Sequence, residues 1–350
     1  MSFTVTLRPS GHSFEVDDDE RILEAALREG FAFPYGCRNG ACRSCLGRLI
    51  EGEVDYGPKK PPGLSVHDIE SGKVLCCQAV PLSDLELEVR DIGAARGIVV
   101  KTLPVRVAAL ERLNHDVMEM RLRLPSTEQL EFLPGQYIDI LLRDGKRRSF
   151  SLANPPHRSE YLELHVRHVT GGLFTGQVFE SMAAKALLRI EGPLGAFFLR
   201  EDSERPMLMV AGGTGFAPIQ GMIEHAMEMD SNRPIHFFWG ARAKEDLYRH
   251  ERVQAWATDW EPLRYTPVLS SPSPDDAWSG ETGWVHETVL RAYPDMSAYD
   301  VYLCGPPAMI EAAEAAFIAR GLPEDRLFYD SFEYGADTLD AIQADGGDAV

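Results

Sequence analysis

The chain has 350 residues, 44% of them hydrophobic and 25% charged, which is enough for two or three globular domains and argues against disorder. Its formal net charge of −19 excludes a non-specific nucleic-acid surface, because phosphate binding draws its affinity from clustered Lys and Arg. The start lacks a basic stretch leading into an apolar one, and no apolar run is long enough to span a bilayer, so a cytoplasmic protein without membrane insertion is expected.

Residues 1–92 open with alternating stretches at Thr4–Leu7 and Ser13–Val16. A helical run through Ile22, Leu23, Ala26 and Leu27 then stops at Gly30. Strand-like Leu46–Ile50, Val74–Val80 and Leu85–Val89 follow a loop rich in Cys and Gly, giving a small mixed sheet on one helix, the β-grasp pattern. Residues 93–103 have little periodicity and read as a linker. Residues 104–203 carry short β-like stretches at Val105–Leu110, Val117–Leu124, Tyr137–Leu142, Ser149–Leu152, Leu162–Val169 and Leu187–Ile190, which suggest an antiparallel β-barrel. In residues 204–335 strands alternate with helices: Met207–Val210, Ala217–Glu228, Ile235–Trp239, Glu245–Ala257, Tyr265–Leu269, Val285–Ala292, Val301–Cys304 and Pro307–Ala319. That rhythm predicts a parallel α/β sheet with crossover helices. Residues 336–350 form an acidic tail without Lys or Arg.

Six cysteines, most of them bunched between residues 37 and 77, suit a metal site in a reducing compartment better than a disulfide framework. Cys37, Cys42 and Cys45 are spaced C-x4-C-x2-C, the spacing of plant-type [2Fe–2S] ferredoxins, which take a distant fourth Cys. Gly36, Gly40 and Gly47 are expected to supply the dihedrals that wrap such a loop around a cluster. The fourth ligand is Cys76 or Cys77. Neighbours on a strand point to opposite faces, so only one of them reaches the iron. Zinc fits less well, because only Cys42 and Cys45 form a C-x2-C knuckle.

The segments FPYGCRNGACRSCLGRLIEGEV and VLCCQAVPLSDLELEV resemble a plant-type ferredoxin domain fused to a ferredoxin–NAD(P)H-reductase-like flavoprotein. The likeness extends over nearly the whole chain, to reductases of multicomponent oxygenases and to CDP-6-deoxy-glucoseen reductases. It implies Cys77 as the fourth ligand, because Pro81, Ser83 and Asp84 follow it as in the family. Arg148-Ser149-Phe150-Ser151 resembles the family's flavin motif, in which the Arg meets a phosphate, the ring stacks on the isoalloxazine and the hydroxyl approaches N5. Bottom-up, a strand sets Arg148 and Phe150 on one face, offering a charge and a flat apolar surface. His165, Val166 and Arg167 occupy the family's second flavin strand. Gly172, Phe174 and Thr175 open a helix whose free N–H groups suit a phosphate. An N-terminal ferredoxin resembles members that carry FAD rather than FMN.

Met207–Val210 runs into Gly212-Gly213-Thr214-Gly215, a strand–turn–helix unit able to cradle a pyrophosphate. It is not the G-x-G-x-x-G fingerprint, but it resembles the family's G-G-T-G-x-x-P element. Cys304-Gly305-Pro306 resembles the second family signature, with Cys304 near the nicotinamide carbon that gives up hydride. Phe332, after Asp330, matches the aromatic residue that covers the flavin ring. The resemblance therefore implies Cys304, Ser151 and Phe332 at the reacting centre. An extra 2′-phosphate would call for basic partners after Ile235–Trp239. Arg242 and Lys244 lie there beside Glu245 and Asp246, and NADH is favoured over NADPH.

The expected activity is hydride transfer from nicotinamide to flavin, then single-electron steps through the cluster to a partner protein, either a deoxysugar dehydratase or an oxygenase component. The competing reading is a non-catalytic metal-binding scaffold that keeps the reductase fold.

Overall fold

The computed structural model describes residues 1–31, 33–58, 60–89 and 98–333. Part of the expected linker and the whole acidic tail lie outside them. The chain divides into two compact units, one of residues 1–99 with 195–197 and the other holding the flavin and nicotinamide segments together.

In the first unit the period-two pattern becomes β1 (Ser2–Arg8) and β2 (Ser13–Asp17), with Val5, Leu7, Phe14 and Val16 turned inward. Helix α1 (Ile22–Arg28) buries Ile22, Leu23, Ala25 and Ala26. It ends at Gly30, whose φ of 81° lets Phe31 N–H return to Ala26 O. Then follow β3 (Leu46–Glu51), β4 (Val54–Asp55), α2 (Val66–Glu70), β5 (Lys73–Leu75), β6 (Val80–Pro81) and β7 (Leu85–Glu88). The five-stranded sheet runs β2-β1-β7-β3-β5, with β1 and β7 parallel, and β4 pairs with β6. This is the expected β-grasp. One element differs from expectation: Val74–Val80 is not a continuous strand. After Leu75 the chain turns, with the N–H groups of Gln78 and Ala79 both donating to Leu75 O.

The second unit begins with β8 (Lys101–Arg112), which starts inside the expected linker, and β9 (Val117–Arg123), β10 (Tyr137–Leu141), β11 (Arg147–Ser151), β12 (Leu162–Arg167), α3 (Leu173–Glu180) and β13 (Leu187–Leu194). These strands form an antiparallel sheet in the order β11-β10-β13-β8-β9-β12. A bridge between Leu152 and Leu164 closes it into a barrel. Its core includes Val107, Met120, Leu122, Ile138, Ile140, Leu164, Val166 and Phe174.

The rest of this unit is β14 (Met207–Gly212), α4 (Phe216–Glu228), β15 (Ile235–Ala241), α5 (His250–Asp259), β16 (Leu263–Leu269), β17 (Glu281–Thr282), α6 (Val285–Ala292), β18 (Asp300–Gly305), α7 (Pro307–Ile318) and β19 (Leu327–Ser331). All pairings in the β17-β16-β15-β14-β18-β19 sheet are parallel. Every residue of β14 and β18 is buried, as central strands covered on both faces require. From β14 the chain builds outward through β15 and β16, then returns to β18 on the other side. The switch point therefore lies between β14 and β18, where open α/β sheets bind ligands.

The expected helix Glu245–Ala257 is instead a short 3-10 turn, Lys244–Asp246, followed by α5 from His250. Leu247 is buried, the Tyr248 hydroxyl meets His165, and Arg249 reaches Glu119. Three successive inward residues do not fit a helix that turns 100° per residue.

Candidate cofactor sites

In the first unit the loop after α1 gathers thiols into two pairs. Cys37 N–H donates to Cys42 Sγ and Cys42 N–H to Cys37 Sγ, each at 3.3 Å. Cys45 and Cys77 form the second hydrogen-bonded pair. Bonding from the Cys42 thiol, together with the N–H groups of Cys42, Asn39 and Ala41, brings the Cys37 thiol down to about 7 against the effect of burial. Cys77 is lowered in the same way by Cys45 and the Gly40 N–H, while Cys42 and Cys45 are pushed up by their partners and by burial. Within each pair the shared hydrogen bond lowers one thiol and raises the other. An all-sulfur donor set in two pairs fits a two-iron cluster, one pair to each iron, better than a single tetrahedral ion.

Cys76 goes elsewhere. Burial pushes its thiol up to about 12, and its Sγ lies 3.5 Å from where a Cβ on Gly47 would be, beneath β3. The two neighbours diverge because a turn, not a strand, carries them. The left-handed positions of the loop are also not the expected trio: they are Arg38 (φ 56°), Gly40 (φ 81°) and Arg43 (φ 64°). Gly47 sits in β3 and is needed for space, since a Cβ there would lie 3.2 Å from Glu88 O. Arg43 holds the loop from outside. Its guanidinium donates to Asp68 at 2.9 and 3.1 Å and to Gly63 O at 2.8 Å. Asp68, buried and also bonded to Ser65, is kept well below the usual carboxylate range by Arg43 first and Ser65 second. Asp68 was missed in the sequence, although Ser65-x-x-Asp68 carries a capping-box signature.

In the barrel, Arg148 and Phe150 lie half-buried on β11, and the Phe150 ring sits 5.6 Å from that of Phe174 on α3. Helix α3 has no side-chain cap at Gly172, where a Cβ would meet Thr175 Oγ1 at 2.5 Å and Val169 O at 2.9 Å. An uncapped helix start, a strand-borne Arg and a half-exposed ring fit a flavin with its phosphate. Four expected flavin residues keep their side chains to themselves. Val166 and Phe174 belong to the barrel core. Thr175 Oγ1 binds the Val169 and Gly172 carbonyls. His165 is fully buried, with Nδ1 3.0 Å from the Tyr248 hydroxyl and Nε2 3.2 Å from Glu163. What these four offer a ligand is backbone. Arg167 pairs with Asp116 at 2.7 Å and reaches toward Gly213.

At the switch point the two glycine turns interlock. A Cβ on Gly215 would lie 2.1 Å from Cys304 O, and one on Gly305 (φ 152°) would lie 3.1 Å from the Gly212 N and O atoms. Helix α4 starts at Gly215 with no side-chain cap. This backbone-lined cradle at a helix start fits a dinucleotide pyrophosphate. Cys304 pairs in register with Asp330 on β19, and Phe332 N–H donates to Gly305 O at 2.9 Å. Burial, then the Asp330 charge, pushes the Cys304 thiol up, so it stays protonated. Ser151 Oγ donates to Asp330 Oδ2 at 3.4 Å. Ser151, Cys304 and Phe332 therefore converge around Asp330 and Gly305.

Helix α4 is fixed to the barrel by Gln220, which donates to Ala153 O at 3.1 Å and to Glu163 at 2.9 Å. Gly221 faces the carbonyls of Leu152, Ala153 and Asn154, where a Cβ would lie 3.2–3.4 Å away. The spacing between the glycine turn and β11 is set by these contacts. Sequence reading passed over Gln220, because a Gln inside an apolar helix face gives no sign of its partner.

A sulfur-lined loop on a β-grasp sheet, an antiparallel barrel and a parallel sheet with a backbone anion cradle define an iron–sulfur flavoprotein oxidoreductase. Residues 5–82 match the family described as 2Fe-2S iron-sulfur cluster binding domain, 104–199 the oxidoreductase FAD-binding domain and 209–315 the oxidoreductase NAD-binding domain. The chain is 41% identical over 332 residues to the CDP-6-deoxy-L-threo-D-glycero-4-hexulose-3-dehydrase reductase of Yersinia pestis, covering 95% of this chain and 99% of that one. It is 37% identical to the phenol 2-monooxygenase reductase component DmpP of a Pseudomonas species, covering 96% of each. Among solved structures it is similar to the Amycolatopsis cytochrome P450 reductase GcoB, with a TM-score of 0.79 and 33% identity over 94% of this chain and 98% of that one. The chain belongs to this family of NAD(P)H-dependent ferredoxin-type reductases, with [2Fe–2S], FAD and nicotinamide dinucleotide as its cofactors. No helix among the described residues is long and apolar enough to cross a membrane.

Proposed function

We propose that the chain takes electrons from NADH and passes them singly to a cytoplasmic partner enzyme, with residues 1–92 carrying the cluster, 104–203 the FAD and 204–335 the nicotinamide. The observation that carries this reading is the convergence of Ser151, Asp330, Cys304 and Phe332 beside the glycine cradle. The bound flavin supplies the conversion between a two-electron hydride and one-electron steps. The protein's part is positional. Gly213–Gly215 and the α4 start hold the dinucleotide, while Arg148, Phe150 and the α3 start hold the flavin. The Ser151 hydroxyl is oriented by Asp330 toward the reacting edge, and the neutral Cys304 thiol packs there without charge. Phe332 covers that edge when no nicotinamide is present. Cys37, Cys42, Cys45 and Cys77 hold the cluster.

NADH is preferred because three carboxylates lie by Lys244: Asp276, which takes the Lys244 backbone N–H at 3.3 Å and feels the Lys244 charge, and the adjacent Glu245 and Asp246. A 2′-phosphate would add charge against those acids. For the partner, the 41% likeness to a hexulose dehydrase reductase favours a deoxysugar dehydratase. The likeness to the phenol monooxygenase component supports an oxygenase as second reading. Anaerobic NADH titration with each candidate partner decides between them: the true partner drains electrons from the reduced chain at turnover rates, and failure with both rejects both.

A further inference from the structure

Trp239 on β15 is fully buried beneath the glycine turn, and its indole Nε1 donates to Gly213 O at 2.9 Å. The same carbonyl accepts the Phe216 N–H. The indole stacks on the Phe216 ring at 4.2 Å and 20°, with the Tyr248 ring edge-on at 5.2 Å. Gly213 itself has φ 52°, a conformation with little hold of its own.

We propose that Trp239 is a positioning residue for the dinucleotide, fixing the Gly213–Thr214 peptide so that its donor side faces the pyrophosphate. A trans peptide points its C=O and the following N–H in opposite directions. An indole that ties Gly213 O inside therefore aims the Thr214 N–H outward, and it keeps a carbonyl dipole from turning toward the anion. Stacking on Phe216, the first residue of α4, fixes the indole relative to the same turn. Phe216 in turn stacks on His165 of β12 at 6.1 Å, so the cradle is referenced to the barrel. The inference rests on the reading of Gly213–Gly215 as the pyrophosphate cradle.

The test compares NADH with 1-benzyl-1,4-dihydronicotinamide, a hydride donor that has no phosphate, on the fully loaded protein. In Trp239→Phe the KM for NADH rises about tenfold, the scale of one lost buried hydrogen bond. The limiting rate of flavin reduction stays within about twofold, and reduction by the phosphate-free donor is unchanged. Because the Phe variant risks misfolding, benzothienylalanine at position 239 provides a second arm, replacing only the N–H by sulfur, and the same split is expected there. An unchanged KM for NADH, or an equal loss with both donors, overturns the proposal. Wild-type protein that the phosphate-free donor reduces but NADH does not overturns the cradle reading itself.

Discussion

Ser151 Oγ donates to Asp330 Oδ2 across 3.4 Å, joining the last residue of a barrel strand to the last strand of the parallel sheet. Asp330 is the register partner of Cys304, so one carboxylate links the flavin motif with the nicotinamide motif. If this contact orients the hydroxyl for hydride transfer, Ser151→Ala slows flavin reduction by NADH by about 10²-fold and Asp330→Ala by about tenfold. Stopped-flow bleaching of the flavin band at saturating NADH measures both, with flavin content as the control.

On the proposed assignment, Cys37, Cys42, Cys45 and Cys77 are ligands and Cys76 is a bystander. Replacing Cys37, Cys42, Cys45 or Cys77 with Ser removes the cluster and stops reduction of one-electron acceptors such as cytochrome c, while NADH still bleaches the flavin. Cys76→Ser retains iron and activity, and costs about 1–2 kcal/mol for a hydroxyl in an apolar site. Iron analysis and thermal unfolding separate the two classes.

Of the fold, the three cofactor segments were legible because periodicity and turn chemistry carry them: all six barrel strands and the β14, β15, β16 and β18 strands fell where alternation or apolar runs placed them. The edge strand β19 was not marked, since Leu-Phe-Tyr-Asp-Ser shows no clean period. The C-x4-C-x2-C loop was legible from spacing. The separation of Cys76 from Cys77 was reasoned from a strand, whereas the structure separates them by a turn. His165 was expected on the flavin strand as a ligand contact, because the sequence does not show Tyr248 arriving from a distant loop to bury it. Trp239 was placed only at the end of a strand and Asp68 was passed over, because their partners, Gly213 O and Arg43, come from tertiary contacts alone.

Acid weakens the second unit in a defined order. Burial holds His236, bonded to Tyr293 and Thr266, down at about 4. Its unfolded form takes up a proton near 6.5, so stability falls by about 1.4 kcal/mol per pH unit as pH drops from there toward 4. Glu163 is opposed by burial, yet His165, Gln220 and Arg252 hold it at about 2. Its contribution is complete above the unfolded value of about 4.3 and is lost as pH falls toward 2. In His236→Gln the urea unfolding free energy between pH 6.5 and 4.5 becomes flatter than in wild type. An identical slope rejects the assignment.

Gly215→Ala drives a methyl group into Cys304 O, 2.1 Å away. The two turns must part, and the KM for NADH rises on the order of 100-fold, while the barrel keeps its flavin. Steady-state kinetics with flavin quantitation checks both halves.

The central claim, that nicotinamide, flavin and the four-thiol cluster form one electron path, is tested most directly by anaerobic titration of the loaded protein with NADH, followed in the visible and by EPR. The account predicts uptake of about 1.5 equivalents, three electrons in all, with loss of the flavin bands and a reduced [2Fe–2S] signal. Flavin bleaching with a cluster that stays oxidised, or no bleaching at all, contradicts it.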